Sequence, residues 1–138
     1  MNTFTLVILA AERTFYEGES VSLIIPTTQG QYGIQAMHSN MIAAIVPGTL
    51  KFTTPDGEVT VAAVSEGLVK VENNHVLLLV DTAERPEEID ENRARRAAEQ
   101  AKEAMLQKRS IQDYQAAQAK MARAISRLRV KRYNSGID

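Results

Sequence analysis

At the start of the chain Phe4, Leu6 and Ile8 alternate with Thr3, Thr5 and, less cleanly, Val7, the period of a strand with one buried face. The stretch 19–26 (ESVSLIIP) repeats the pattern. Further on, TPDGE at 54–58 marks a tight reversal between the runs 50–53 (LKFT) and 59–64 (VTVAAV). ENNH at 72–75 does the same between 68–71 (LVKV) and 76–80 (VLLLV). Short strands punctuated in this way predict an antiparallel β-sandwich or flattened barrel, and roughly 80 residues can close one modest core of that kind.

Beyond Ala83 the period changes. Pro86, Glu87 and Glu88 suit a first helical turn, because proline needs no amide partner there and acids meet the positive end of the helix dipole. Ile89, Ala97, Ala101, Ala104 and Met105 then fall on one side of a first helix, and 108–113 (KRSIQD) reads as a break. In a second helix Ile111, Tyr114, Ala117, Met121, Ala124, Ile125 and Leu128 form a stripe at spacings of three and four, with Lys120, Arg123, Arg127 and Lys131 on a separate basic face. Facing stripes and a short connection predict an antiparallel hairpin. The expected architecture is α+β in two parts: a sandwich or flattened barrel over 1–84 and a helical hairpin over 85–138.

The interface of that hairpin is built mainly from Ala97, Ala98, Ala101, Ala104, Ala117 and Ala124. A buried methyl contributes about 0.8 kcal/mol, against roughly 1.5–3 kcal/mol for a whole Leu or Ile side chain. So small and weakly packed a hairpin is marginal alone. It must lean on another surface, from which it can detach.

Charge divides the chain at the same place. Through Ala83 there are three basic residues, Arg13, Lys51 and Lys70, against eight acidic ones; from Glu84 onward thirteen Lys and Arg face nine Asp and Glu. The net charge of −1 therefore conceals an acidic first part and a basic second part, and the basic part calls for a partner. There is no cysteine, which excludes a disulfide framework and a thiol nucleophile and fits a reducing compartment. The apolar runs are strand-sized, far short of the roughly 18 residues of a membrane-spanning helix, and the start lacks the layout of a signal peptide.

Catalytic signatures are missing. His38 and His75 lie far apart without carboxylates at metal-ligand spacing, and Ser39, Ser65 and Ser110 lack a nucleophile-elbow context. GQYG at 30–33 is too short for a phosphate loop. Only Tyr114 and Tyr133 are aromatic in the basic part, which argues against a nucleic-acid surface.

Taken in order, several segments resemble the epsilon subunit of F-type ATP synthases over nearly the whole chain. They are TFTLVILAAERTFYEGESVSLIIPTTQGQYGI at 3–34, MHSNMIAAIVPG at 37–48, VSEGLVKVENNHVLLLVDTAERPEEID at 64–90 and ARAISRLRV at 122–130. The resemblance implies a sandwich of about ten strands followed by the hairpin. It also implies a non-catalytic rotor subunit that couples gamma to the membrane ring of c subunits and requires no cofactor. By position Gln31 and His38 fall in the family's ring-facing loops, but the chain departs there, with Gln31 in place of an acid and QAMH in place of L-P-G-H at 35–38. The resemblance further implies that the membrane is reached only through the complex, at the cytoplasmic face of the bacterial plasma membrane.

The helical part resembles the family's regulatory arm, which folds beside the sandwich or extends along gamma into the head of alpha and beta subunits and blocks ATP hydrolysis. Lys120, Arg123, Arg127, Arg129, Lys131 and Arg132, with no acid between Lys120 and Arg132, suit the acidic surface that the family presents on beta. Each exposed ion pair gives only about 0–1 kcal/mol, so these cations must act together. Ile89, Asp90, Arg93 and Ala94 match the I(L)-D-x-x-R-A motif with which some bacterial members bind ATP as a regulatory ligand. Glu84, Arg123 and Arg127 match further positions of that site, whereas Gln100 stands where nucleotide-binding relatives can carry an arginine. An alternative from another class is a free-standing nucleotide-sensing or protein-interaction adaptor of the same shape.

Overall fold

The computed structural model describes residues 2–107 and 111–134. Ten strands come first: β1 (Phe4–Ala10), β2 (Arg13–Ser20), β3 (Ser22–Thr27), β4 (Gly30–Gln35), β5 (Met41–Ile45), β6 (Gly48–Thr53), β7 (Val59–Val64), β8 (Gly67–Glu72), β9 (His75–Val80) and the two-residue β10 (Ala83–Glu84). They form two five-stranded sheets, ordered β2-β1-β9-β8-β5 and β10-β7-β6-β3-β4. The expected alternation holds in β1, where Phe4, Leu6 and Ile8 are buried. They meet Leu23, Ile25, Leu50, Phe52, Val69 and Leu78 in one core between the sheets, each contributing roughly 1.5–3 kcal/mol of burial.

Both expected turns are present. Asn73 and Asn74 join β8 to β9 with φ of 50° and 65°, the paired left-handed conformation of a two-residue hairpin whose twist matches the strands. Gly57 takes φ +88° in the turn after Pro55. Gly67 is required by space, because a Cβ there would lie 1.9 Å from the Leu79 carbonyl oxygen.

One strand pair departs from an all-antiparallel sandwich: β1 and β9 run parallel, from Thr5 opposite His75 to Ala10 opposite Val80. Both belong to the sheet whose other neighbours are antiparallel.

The first α-helix starts later than the proline suggests. Pro86–Glu88 form a single 3-10 turn, closed by the Ile89 amide on the Pro86 carbonyl at 3.2 Å, and Ile89 is extended. Helix α1 spans Glu91–Gln107 and α2 spans Ile111–Asn134. Asp90 caps α1, its Oδ1 accepting the Arg93 amide at 3.1 Å, which satisfies one of the four donors a helix leaves open. Ile89 thus stands outside the helix, packed with Val61, Ala63 and Val130. Of the expected break, 108–110 lie outside the described residues, and Ile111, Gln112 and Asp113 are helical. The two helices pack against each other, with Ala97, Ala101 and Ala104 beside Arg123, Ala117 and Asp113 along one groove, the antiparallel arrangement expected.

Helix α2 lies between α1 on one side and β6, β7 and the 3-10 turn on the other. It therefore carries two buried strips. Ala117 and Ala124 lie on the expected stripe, and α1 buries Ala94 and Ala101. Ser126 and Val130, one turn apart, make a second strip that includes the sandwich contact of Val130. The outer ends of the expected stripes are exposed, with Ala104, Ile111 and Tyr114 at the surface.

Candidate functional site

A cleft of about 1060 Å³ opens where the β1–β2 turn, the segment from Asp81 to Glu88, the start of α1 and Arg127 of α2 converge. That is ample for a small ligand. Glu84, Asp90, Arg93, Ala94 and Arg127 of the expected ligand set line it. Ile89 does not reach it, being only 4% exposed within its apolar cluster. Arg123 lines an adjoining groove of about 450 Å³ between the helices, with Gln100, Lys120 and Arg127.

The charges of the cleft are largely paired. Arg127 Nε donates to Glu84 Oε1 at 2.5 Å, and Arg123 Nη1 lies 3.1 Å from Glu66 Oε2. Asp90 and Arg93, three residues apart, bond through the Arg93 amide; among the described residues the Arg93 guanidinium makes no ion pair. Sequence spacing missed Arg13, which lines the cleft and holds Glu88, 75 residues away, at 2.7 Å. No local pattern could reveal that pair. The Arg13 hydrogen bond holds the Glu88 carboxyl below its ordinary range, and Glu88 in turn raises Arg13. Around the cleft Glu12, Asp81, Glu84, Glu88 and Asp90 face Arg13, Arg93 and Arg127, so an anion would meet Arg93 unpaired and would compete with Glu84 for Arg127.

The basic face of α2 corresponds to its seat. Arg123 pairs with Glu66, Arg127 with Glu84, and Lys131 Nζ donates to the Pro86 carbonyl at 3.3 Å. Three of the six expected head-binding cations thus face the sandwich and linker rather than solvent, while Lys120, Arg129 and Arg132 are exposed.

Gln31 lies within β4, opposite Pro26, rather than in a loop. His38 sits beyond the end of that strand, half-buried, with Nε2 2.9 Å from the Tyr32 hydroxyl and Nδ1 2.8 Å from the Ser39 carbonyl. Met37 before it has φ 65°, a left-handed conformation that favours glycine; this is the position of the glycine in the L-P-G-H pattern.

A second surface was not anticipated. On the outer face of the β2-β1-β9-β8-β5 sheet the register lines up Val7, Leu77, Lys70 and Ile42 in one row and Leu9, Leu79, Leu68 and Ala44 in the next. Ile42, Leu68 and Leu79 are 71%, 51% and 45% exposed. The other sheet is covered by α2 over β6 and β7, whereas among the described residues no helix packs on this face. Contiguous exposed apolar residues of this kind mark interaction surfaces.

A sandwich with an exposed apolar face and a helical hairpin held on its other sheet through basic side chains has the surfaces of a subunit that assembles with others. The β-sandwich domain of the ATP synthase delta/epsilon chain matches residues 3–86, and the long α-helix domain of the same chain matches residues 87–132. The chain belongs to the epsilon-chain family of F-type ATP synthases. It is similar to the ATP synthase epsilon chain of Ruminiclostridium cellulolyticum, at 38% identity over 93% of this chain and 95% of that one. It is likewise similar to that of Caldanaerobacter subterraneus, at 42% identity over 93% of each. In fold it is similar to a chain of the Euglena gracilis mitochondrial ATP synthase OSCP/F1/c-ring assembly, with a TM-score of 0.79 and 18% identity over the whole of this chain and 83% of that one. A chain of the Tetrahymena thermophila mitochondrial central stalk and c-ring follows at TM-score 0.65 and 13% identity, covering 92% of this chain and 95% of that one. Among the described residues no helix is long and apolar enough to cross a membrane.

Proposed function

We propose that this chain is a non-catalytic rotor subunit that joins gamma to the c-subunit ring and restrains ATP hydrolysis by releasing its helical arm toward the alpha and beta subunits. It works at the cytoplasmic face of the bacterial plasma membrane, held there by the complex. The exposed face around Ile42, Leu68 and Leu79 is the surface offered to gamma, and the region of Gln31 and His38 is offered to the ring.

The observation that carries the inhibitory role is the engagement of Arg123 and Arg127 by Glu66 and Glu84. The same guanidinium groups cannot serve the sandwich and an acidic surface of the head at once. Docking therefore masks the cations, and release offers Arg123, Arg127 and Lys131 together with Lys120, Arg129 and Arg132. Each pair contributes only about 0–1 kcal/mol, so exchanging these pairs for others favours neither seat strongly and leaves room for a modest bias to act.

ATP supplies such a bias. Glu84 on the sandwich side and Asp90, Arg93, Ala94 and Arg127 on the arm side line one cleft, and arginines can take phosphate oxygens in pairs. A ligand spanning both sides stabilises the docked arm by RT ln(1 + [L]/Kd), about 1.4 kcal/mol at ten times Kd. The paired state of Arg127 and the absence of an arginine at Gln100 predict weak binding.

Reconstitution with alpha, beta and gamma tests the role. A chain lacking residues 90–138 should bind gamma as the full chain does while ATP hydrolysis rises; equal hydrolysis rejects the inhibitory arm. Calorimetric titration of the full chain with ATP tests the ligand separately. Heat that disappears in Arg93→Ala supports it, and no heat from the parent removes ATP while leaving the rotor role intact.

A further inference from the structure

The segment between sandwich and arm is bonded to the sandwich by contacts in which neither helix takes part. Arg13 of β2 donates from Nη2 to the Ala83 carbonyl at 2.8 Å and to Glu88 Oε1 at 3.0 Å, and its Nη1 lies 2.7 Å from Glu88 Oε2. Glu88 Oε1 also accepts the Arg85 amide at 2.9 Å. Arg85 reaches back to β2, donating Nη2 to the Phe15 carbonyl at 3.1 Å with its guanidinium 4.1 Å from the centre of the Phe15 ring. Ala83 and Glu84 are paired with β7, and Ile89 is packed on Val61 and Ala63 of the sandwich, a cluster to which the arm adds Val130.

Past Ile89 the bonding partners change. Asp90 turns to its own helix, taking the Arg93 amide on its side chain and the Ala94 amide on its carbonyl. The arm is seated through α2, by Arg123 on Glu66, Arg127 on Glu84, Lys131 on Pro86 and the side chain of Val130. Breaking all of these leaves the contacts of Arg13, Arg85 and Glu88 untouched.

We propose that the arm pivots between Ile89 and Asp90, and that Arg13 is the positioning residue that keeps residues 83–89 on the sandwich when the arm leaves. This rests on the reading that the arm detaches. It moves the working boundary five residues past the 84/85 division expected from the sequence. It also puts the two walls of the cleft on opposite sides of the pivot: Arg13 and Glu84 stay, while Asp90, Arg93 and Arg127 depart. Opening therefore takes the cleft apart, and a ligand bound across it resists opening.

A carboxylate that accepts from one guanidinium through both oxygens and from a backbone amide is held in one orientation. The lowered Glu88 carboxyl and the raised Arg13 guanidinium agree with that geometry. Phe15, against which Arg85 lies, belongs to the sandwich core, so the staple is anchored on the more stable part.

Hydrogen exchange of the full-length chain reads the pivot directly. Ser126→Asp places an unpaired charge under α2 and should speed exchange along α2, while the amides of Arg85, Glu88 and Ile89 stay at least about tenfold slower than those of α2. Should the sandwich itself open in that variant, Glu66→Gln, which loosens one surface pair, provides the same comparison. Linker amides that lose protection together with α2 put the pivot before Arg85 and overturn the proposal. Arg13→Met in the otherwise unchanged chain should expose the Arg85 and Ile89 amides while α2 stays protected; unchanged linker amides overturn the role of Arg13. If α2 exchanges only with the sandwich core in every variant, it is the detaching arm that fails, an outcome distinct from a misplaced pivot.

Discussion

Arg127 of α2 reaches 43 residues back along the chain to Glu84 of β10, Nε to Oε1 at 2.5 Å. Both side chains are under a third exposed, at 29% and 27%, which places the pair between the screened surface case and a buried one. Removing either partner should loosen the seat of α2 by about 1 kcal/mol or less, a rise in the open fraction of up to about fivefold. Exchange rates of α2 amides in Arg127→Ala and Glu84→Gln give the number. Reversing both charges together should recover most of the loss, and the double-mutant cycle separates the pair from its surroundings. A cycle with no coupling would show that Glu84 and Arg127 merely sit near one another.

The seat has a built-in weakness. Ser126 is 4% exposed, and its hydroxyl has no hydrogen-bond partner among the described residues. A polar group buried without a partner costs about 1–3 kcal/mol. Ser126→Ala removes the hydroxyl, keeps the volume close and improves helix propensity, so the docked arm should gain about 1–3 kcal/mol. Exchange along α2 should slow accordingly, and inhibition of hydrolysis in the reconstituted complex should weaken. Faster exchange in that variant would mean that the hydroxyl has a partner that stabilises the seat.

The hidden second strip of α2 also explains what could be read in advance. Local features were legible: Phe4, Leu6 and Ile8 alternate because one face of β1 is core, and Asn73–Asn74 suits a turn with two left-handed residues. The stripe facing α1 was legible through Ala117 and Ala124. The strip facing the sandwich was not, because Ser126 and Val130 alternate with Arg123, Arg127 and Lys131, so that a docking surface looks like a solvated one. Pro86 misled for a related reason: its fixed φ suits a 3-10 turn as well as a helix start, and burial of Ile89 with Val61 and Ala63 decided between them. The parallel β1–β9 pair and the Arg13–Glu88 bond span most of the sandwich in sequence, beyond the reach of any periodicity. Of the motif at 89–94, Asp90, Arg93 and Ala94 line the cleft while Ile89 faces away from it into an apolar cluster, a difference no local pattern could show.

Acid should affect the linker only late. The Glu88 carboxyl is lowered chiefly by the Arg13 hydrogen bond, with the Arg85 amide and the charges of both arginines adding to it against burial. A carboxyl lowered in the folded state contributes stability that is present above its unfolded pKa and is lost as pH falls through the folded value. Protection of the Arg85 and Ile89 amides should therefore persist through the ordinary carboxylate range and fail below it. In Glu88→Gln the protection should be weaker near neutral pH and should show no such acid step. An acid step that survives in Glu88→Gln would assign the titration to another group.

The exposed sheet face makes the sharpest demand on a partner. Ile42, Leu68 and Leu79 belong to adjacent strands and are 71%, 51% and 45% exposed, and none of them contributes to the core between the sheets. A charge at any of these positions should therefore leave the sandwich folded, since surface substitutions usually change stability by only about 0.5 kcal/mol. In the proposed contact with gamma an added carboxylate would be buried among apolar side chains, unpaired at position 68 and partly offset at position 42 by Lys70 opposite it, and disrupted anchors cost about 2 kcal/mol or more. Ile42→Asp and Leu68→Asp should thus lower affinity for gamma by about thirtyfold or more at unchanged thermal stability, measured by co-purification and calorimetric titration. Lys70, which lies in the row between Ile42 and Leu77, provides the control for simple charge effects: Lys70→Gln should matter less than either aspartate. Wild-type affinity in both aspartate variants would move the gamma contact to another face of the sandwich.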